Sequence, residues 1–311
     1  MVKYAFLFSG QGGQYVSMGK DLYEAFSEAR EIFDAADDFL KSHFSNILFE
    51  GPQDLLTETV NSQLAVYVHG MALLRILNKE LPDLHPLVVS GLSLGEYTAL
   101  TASGKITFSD GLKIIKLRAG FMNEICHESK GSMVAVLGLP FQEVEEVISV
   151  LGTDVWIANY NAPLQTVISG EEKAVEHASE VIKNKGARKL IKLNVSGAFH
   201  SPLMQKAEGL LKNYLVDLPI SDSSVSFVSN VVGDYVAESE EIRNLLFRQI
   251  TSPTKWFQGC LKMSNQAEVF LEIGCGKVLT NLNKSIGIKQ PSYNIDSLLG
   301  LENFLKVMNY C

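Results

Sequence analysis

Ser93 lies in Gly91-Leu92-Ser93-Leu94-Gly95, after the apolar run Leu87-Val88-Val89 and before residues 96–102, which read as helix until Gly104 stops them. A strand, a sharp turn carrying a serine and then a helix is the order of a nucleophile elbow. The two glycines let the backbone turn where a Cβ would clash. The hydroxyl is then held at a helix N-terminus, where main-chain N–H groups and the helix dipole face any oxyanion that forms. Chance supplies Gly-x-Ser-x-Gly often, so the flanking strand and helix carry the reading more than the five residues do.

A serine nucleophile needs a base. Of the histidines His43, His69, His85, His127, His177 and His200, most sit in segments that read as helix or solvated loop. His200 differs: it follows a strand-like run, in Ser196-Gly197-Ala198-Phe199-His200-Ser201-Pro202, and strand ends followed by small residues are where α/β sheets place catalytic groups. Near the start, Ser9-Gly10-Gln11-Gly12-Gly13-Gln14 follows the first strand. It lacks the Lys-Ser/Thr ending of a P-loop and the spacing of a dinucleotide fingerprint. A plain tight turn and a second loop lending an oxyanion donor at Gln11 both remain open, and the second is favoured because an oxyanion hole needs such a donor. Arg118 lies on a largely apolar helix (Lys113-Ile114-Ile115-Lys116-Leu117-Arg118). By itself it reads as a solvated or snorkelling side chain. Its functional reading is a bidentate clamp for a carboxylate, which a planar guanidinium suits better than lysine.

These residues need a scaffold, and the 311-residue chain is long enough for a large core, with 46% hydrophobic and 20% charged residues. No stretch has the length and apolarity of a membrane span, and the apolar segment at the N-terminus is too short for a signal peptide. The net charge of −8 disfavours nucleic-acid or anionic-membrane binding. Cys126, Cys260, Cys275 and Cys311 form no CxxC pair, against a disulfide framework or zinc site, so a cytoplasmic enzyme is expected.

Short β-branched or aromatic runs alternate with longer helical segments, the α/β signature. Strands are expected at 4–8 and 87–89, with helices at 22–39, 62–78 and 109–126. Leu64, Val68, Met71 and Leu74 form a buried face on the second of these helices. Residues 128–197 change character: strands at 133–137, 155–158, 165–169 and 189–195 with helices at 141–150 and 171–184 give β-α-β-β-α-β, a ferredoxin-like unit. A long amphipathic segment at 203–215, strands at 226–229 and 267–273 and a helix near 240–249 then return to the first sheet. One α/β body with a small inserted subdomain is expected.

Six ordered motifs together resemble the malonyl-CoA:acyl-carrier-protein acyltransferase family over nearly the full length, closest to the discrete, trans-acting acyltransferases of polyketide synthases. Phe8 to Gln14 resembles the family's Pro-Gly-Gln-Gly-Ser-Gln loop, Gly91 to Glu96 its Gly-His-Ser-Leu-Gly-Glu elbow, and Leu117 to Met122 its Arg-Gly-x-x-Met helix. Gly197-Ala198-Phe199-His200 is similar to the histidine motif typical of malonyl selectivity, and Asn161 to Gly170 and Glu272 to Thr280 are further matches. The resemblance implies Ser93 as acyl nucleophile, His200 as base, the N–H groups of Gln11 and Leu94 as oxyanion hole, and Arg118 as clamp for the malonyl carboxylate. It implies that the Gln249 carbonyl orients the histidine, with Gln63, Leu92 and Phe199 at the acyl pocket.

The implied fold is an α/β-hydrolase-like catalytic domain, 1–127 and 198–311, with a ferredoxin-like subdomain at 128–197. The implied reaction is a ping-pong malonyl transfer from malonyl-CoA to the phosphopantetheine thiol of an acyl carrier protein, in polyketide or fatty acid biosynthesis, by a monomer without cofactor or metal. Two departures stand out. Leu92 replaces the histidine usual beside the serine, a change also seen among trans-acting members, and Cys275 stands where proline is usual. An acyl hydrolase that edits carrier proteins shares the serine and histidine, but its members resemble transferases lacking the arginine. A carrier-docking module with a dead site is opposed by the intact Ser93, His200 and Arg118.

Overall fold

The computed structural model describes residues 2–128, 130–152, 154–195 and 197–308; Ser196 and Cys311 lie outside them. In chain order the elements begin with β1 (Tyr4–Phe8), α1 (Lys20–Ala25), α2 (Ser27–Leu40), α3 (Phe44–Glu50), α4 (Gln53–Thr57), α5 (Thr59–Glu80) and β2 (Pro86–Gly91). Next come α6 (Gly95–Ala102), α7 (Phe108–Glu128), β3 (Gly131–Leu137), α8 (Phe141–Leu151), β4 (Val155–Ala162), β5 (Gln165–Glu171), α9 (Glu172–Asn184) and β6 (Lys189–Lys192). After a 3₁₀ turn at Pro202–Met204 follow α10 (Gln205–Leu215), β7 (Ser226–Ser229), β8 (Asp234–Val236), α11 (Ser239–Arg248), α12 (Trp256–Ser264), β9 (Val269–Ile273), α13 (Val278–Ile286), β10 (Ser292–Ile295) and α14 (Leu298–Val307). No described helix is long and apolar enough to cross a membrane.

Two sheets result. The larger has the order β10-β9-β1-β2-β7-β8, parallel except for the β7–β8 hairpin at its edge. β1 is buried at every residue because helices cover both faces, which is why it reads as one continuous apolar run. Its side chains alternate: Tyr4, Phe6 and Phe8 enter the core that holds α5, whereas Ala5 and Leu7 pack with Trp256, Met263, Leu279 and Leu282 of α12 and α13. The smaller sheet is antiparallel, in the order β4-β5-β3-β6. Val134, Val136, Ile157 and Ile168 on one face close a separate core with α8 and α9. Met133, Ala135, Ala158 and Val167 on the other face join the main core.

The expected elements recur with local differences. The single helix at 22–39 divides because Phe26 adopts an extended backbone, letting α1 and α2 direct Leu22, Ala29 and Phe33 into one core. The strand at 189–195 ends at Lys192. The Leu193 N–H still reaches the Met133 carbonyl (2.9 Å), but that of Val195 turns back onto Leu193 (3.0 Å). The helices α3, α4, α12, α13 and α14 and the strands β8 and β10, each of ten residues or fewer, lie outside the expected elements.

The junction of β2 with α6 is the tightest place in the large sheet. The Leu92 N–H donates to the Phe8 carbonyl at 3.0 Å, joining the elbow to the end of β1. A Cβ on Gly95 would run into that same carbonyl, and one on Gly91 into the Gly95 backbone. Gly95→Ala is therefore expected to destabilise the fold by about 3 kcal/mol, the upper range for overpacking a close-packed interior. Chemical denaturation at neutral pH measures it, and a loss below about 1 kcal/mol would contradict this contact.

Candidate active site

Ser93 has φ +52, in the left-handed region, so the turn presents its side chain away from both strand and helix. Such strain costs a non-glycine residue of order 1 kcal/mol and persists only where the surroundings hold it. Here they do. The Ser93 N–H donates to Asn230 Oδ1 (2.7 Å), and the Ser93 carbonyl accepts from Gln249 Nε2 (2.9 Å). Asn230, at the start of the β7–β8 turn, also donates through Nδ2 to the Gly91 carbonyl (2.8 Å), so one amide spans the elbow.

The chain returning from the small sheet brings His200 to the serine, with Nε2 and Ser93 Oγ 2.8 Å apart. His200 Nδ1 faces two carbonyls, Gln249 at 2.9 Å and Ser252 at 3.2 Å. Carbonyls only accept, so Nδ1 carries the proton and Nε2 is left as the acceptor for the serine O–H. The His200 N–H donates to the Ile250 carbonyl (3.0 Å), so residues 249–252 fix both backbone and ring. That loop is tied to the small sheet: Thr254 donates to the Ala158 carbonyl (2.8 Å), and the Tyr160 N–H donates to the Thr254 carbonyl (2.9 Å). Burial, with Arg118 adding in the same direction, pushes the His200 imidazole down to about 4.

Arg118, on α7, is 1% exposed, which overturns the solvated reading its helix alone suggests. Its Nη2 donates to Ser93 Oγ and to Gln249 Oε1, both at 3.0 Å, and its Nη1 to Gln63 Oε1 at 2.6 Å. The guanidinium also stands over the Tyr97 ring, 5.7 Å from its centroid. Gln63, expected on the pocket wall, lies one layer behind it, fully buried and backing the arginine. The wall itself encloses a cavity of about 240 Å³ between the sheets. Gln11, Leu92, Ser93, Arg118, Phe199 and His200 all line it, with Met133, Ala135 and Val167 of the small sheet opposite.

The β1 loop lies against the elbow, where Gly10 has no room for a Cβ beside the Leu92 carbonyl. Neither the Gln11 nor the Leu94 N–H has a backbone or side-chain acceptor among the described residues. Cys275, in the proline position, is buried with Sγ 3.7 Å from Ser9 Oγ, packing beneath that loop. Glu272 caps α13 through the N–H groups of Leu279 (3.0 Å) and Thr280 (2.8 Å), a structural use of the motif that contains it. Among the described residues no group of three or more His, Cys, Asp or Glu could hold a metal ion. Two residues the sequence reading missed complete the cluster: Asn230, and Glu96, which is buried under the elbow and bonded to Gln249.

Because folding keeps His200 uncharged, it takes up its proton only near pH 4, while the unfolded chain takes one up near 6.5. Stability from this residue is thus complete above about 6.5 and lost as pH falls toward 4. Ring chemical shifts of His200 are expected to report a neutral imidazole at pH 5.5, and a titration midpoint near 6.5 would contradict the buried geometry.

Residues 5–292 match the family model described as acyl transferase domain. The chain is 40% identical over 290 residues, covering 92% of it and 91% of the relative, to the malonyl CoA-acyl carrier protein transacylase of Bacillus subtilis (strain 168). It is 35% identical over 311 residues, 98% of this chain and all of the other, to the protein of the same name from Haemophilus influenzae. Among solved structures, the acyl-carrier-protein-S-malonyltransferase of Bartonella henselae superposes with TM-score 0.93 at 37% identity, covering 99% of this chain and 100% of that one. A malonyl-transacylase in complex with its type II PKS acyl-carrier protein superposes with TM-score 0.94 at 31% identity, covering 98% and 99%.

Proposed function

The chain belongs to the acyl transferase domain family, and from that premise we propose that it carries a malonyl group from malonyl-CoA to the phosphopantetheine thiol of an acyl carrier protein. It is an acyltransferase, and one solved relative is a malonyl-transacylase in complex with its type II PKS acyl-carrier protein. The observation that carries the malonyl reading is Arg118: a buried cation on the wall of the acyl cavity, with a guanidinium nitrogen 3.0 Å from the nucleophile.

In the first half-reaction Ser93 Oγ attacks the thioester carbonyl while His200 Nε2 takes its proton. The carbonyl oxygen, now anionic, is stabilised by the Gln11 and Leu94 N–H groups, neither of which has another acceptor to leave. The tetrahedral intermediate collapses, the C–S bond breaks, and the CoA thiolate leaves with the proton from His200. The carrier thiol then gives its proton to His200, attacks the malonyl-serine and releases Ser93 with that proton. The Gln249 and Ser252 carbonyls stabilise the imidazolium in each half, so no third acid is needed. The substrate carboxylate takes the place of Ser93 Oγ on Arg118 in a charge-assisted pair, and a neutral acyl group leaves the guanidinium short of an acceptor.

The same proposal includes a monomeric, cytoplasmic enzyme without cofactor, made of an α/β-hydrolase-like body (1–127 and 198–311) and a ferredoxin-like subdomain (128–197). The β-α-β-β-α-β order with the sheet β4-β5-β3-β6 supports the second unit, and its separate core with α8 and α9 supports the division. An editing hydrolase is the weaker reading, since Arg118 has no role in releasing neutral acyl chains.

Ser93→Ala is expected to abolish radiolabelled acyl-enzyme formation from malonyl-CoA, a loss of at least about a thousandfold. Retained label would refute the nucleophile. Arg118→Ala is expected to lower the malonyl-over-acetyl preference about a hundredfold, read from intact mass after exposure to each acyl-CoA, and an unchanged preference would refute the clamp.

A further inference from the structure

Among the described residues, Glu96 is the buried carboxylate beneath the elbow that the reaction above does not use. Its side chain is enclosed, 1% exposed, on the first turn of α6. Oε1 accepts from the Asn230 N–H at 2.6 Å, and Oε2 accepts from Gln249 Nε2. Both partners then reach the reacting groups. Asn230 Oδ1 holds the Ser93 N–H, and Gln249 holds the Ser93 carbonyl through Nε2 and the Arg118 guanidinium through Oε1.

Resting on the malonyl-transfer reading, we infer that Glu96 is a positioning residue for acyl selectivity: its carboxylate fixes the direction of the Gln249 amide, and through it the aim of Arg118. Arg118 can only donate, so the Gln249 atom facing it must be oxygen. The Ser93 carbonyl and an ionised Glu96 can only accept, so the other end must be the NH₂ group. Every hydrogen of that amide is then used, one on Ser93 and one on Glu96. Glu96 meets donors at both of its oxygens, and an ionised carboxylate, with acceptors only, satisfies both in full. A glutamine sets a donor against a donor at one end and frees either Asn230 or Gln249, and a protonated acid weakens the bond at the oxygen that carries the proton.

The proton is accessible in the working range, because burial pushes the Glu96 carboxyl up to about 7. The charged group facing it is Arg118 of α7. Gln249, Asn230 and the Ser229 hydroxyl at the end of β7 are neutral, and Tyr97, beside it on α6, is pushed up to about 12 and stays neutral. As pH falls through about 7, Glu96 takes up a proton, the Gln249 amide loses its anchor and the guanidinium loses its aim. The substrate carboxylate and His200 titrate well below this window.

The test is the acyl-enzyme loading step, followed by rapid quench with malonyl-CoA and with acetyl-CoA from pH 6 to 8, for the wild type and for Glu96→Gln. The wild-type preference for malonyl over acetyl is expected to fall about tenfold from pH 8 to pH 6, the equivalent of one buried hydrogen bond. Glu96→Gln is expected to hold the lowered preference at every pH, with acetyl loading reduced by a smaller factor. A wild-type preference flat across this range overturns the inference even if the variant fails to fold, as does a folded variant that keeps the wild-type preference and profile. If the wild type loads no malonyl on Ser93 at any pH, the function proposed above fails instead.

Discussion

A guanidinium buried between two sheets, with no carboxylate in direct contact among the described residues, is the constraint around which this site is organised. Moving an arginine out of water costs several kcal/mol unless its donors are met. Arg118 meets them with neutral oxygens: two amides, Gln63 and Gln249, and the hydroxyl of Ser93. Its Nε has no partner among the described residues, and its only aromatic support is the Tyr97 face. Neutral acceptors hold the group in place without cancelling its charge. An anion entering the cavity therefore finds a cation already oriented and already dehydrated, which is the condition under which a charge-assisted pair discriminates most strongly.

The large sheet supplies the turn and the small sheet supplies the opposite wall, but residues 249–254 join them. Gln249 carries much of the geometry alone. Its backbone carbonyl orients His200, and its side chain spans Ser93, Arg118 and Glu96. A few residues on, Thr254 pairs with β4. His200, Ser93 and the wall of the cavity are thereby referred to one short segment, and the relative position of the two sheets becomes part of the geometry of the site.

Much of this was legible from residue types. The elbow, the β1 loop, the strand alternation and the β-α-β-β-α-β stretch all carry local periodicities or turn residues that act within a few positions. What was hidden depends on burial. Glu96 at the start of a helix reads as an ordinary acidic residue favoured there by the dipole, and nothing within ten residues says that it faces inward. Asn230 reads as a turn residue, and Arg118 on its own reads as a snorkelling one. Gln63 sits on a helix buried all round, so its sequence period could not say which side looked into the cavity. Each of these roles is set by partners from 25 to 153 residues away, which no local pattern encodes.

The insertion of the small sheet between Ser93 and His200 has a consequence for the chain during its synthesis. Ser93 and His200 are 107 residues apart, and every strand of the small sheet is made between them. β1, β2 and α6 emerge first, yet Ser93 at that stage has neither His200 nor the Asn230 and Gln249 contacts that hold the elbow. The loop that orients the histidine is made later still. A nascent chain therefore carries an isolated hydroxyl until His200 and residues 249–252 have been made and both sheets have closed on each other.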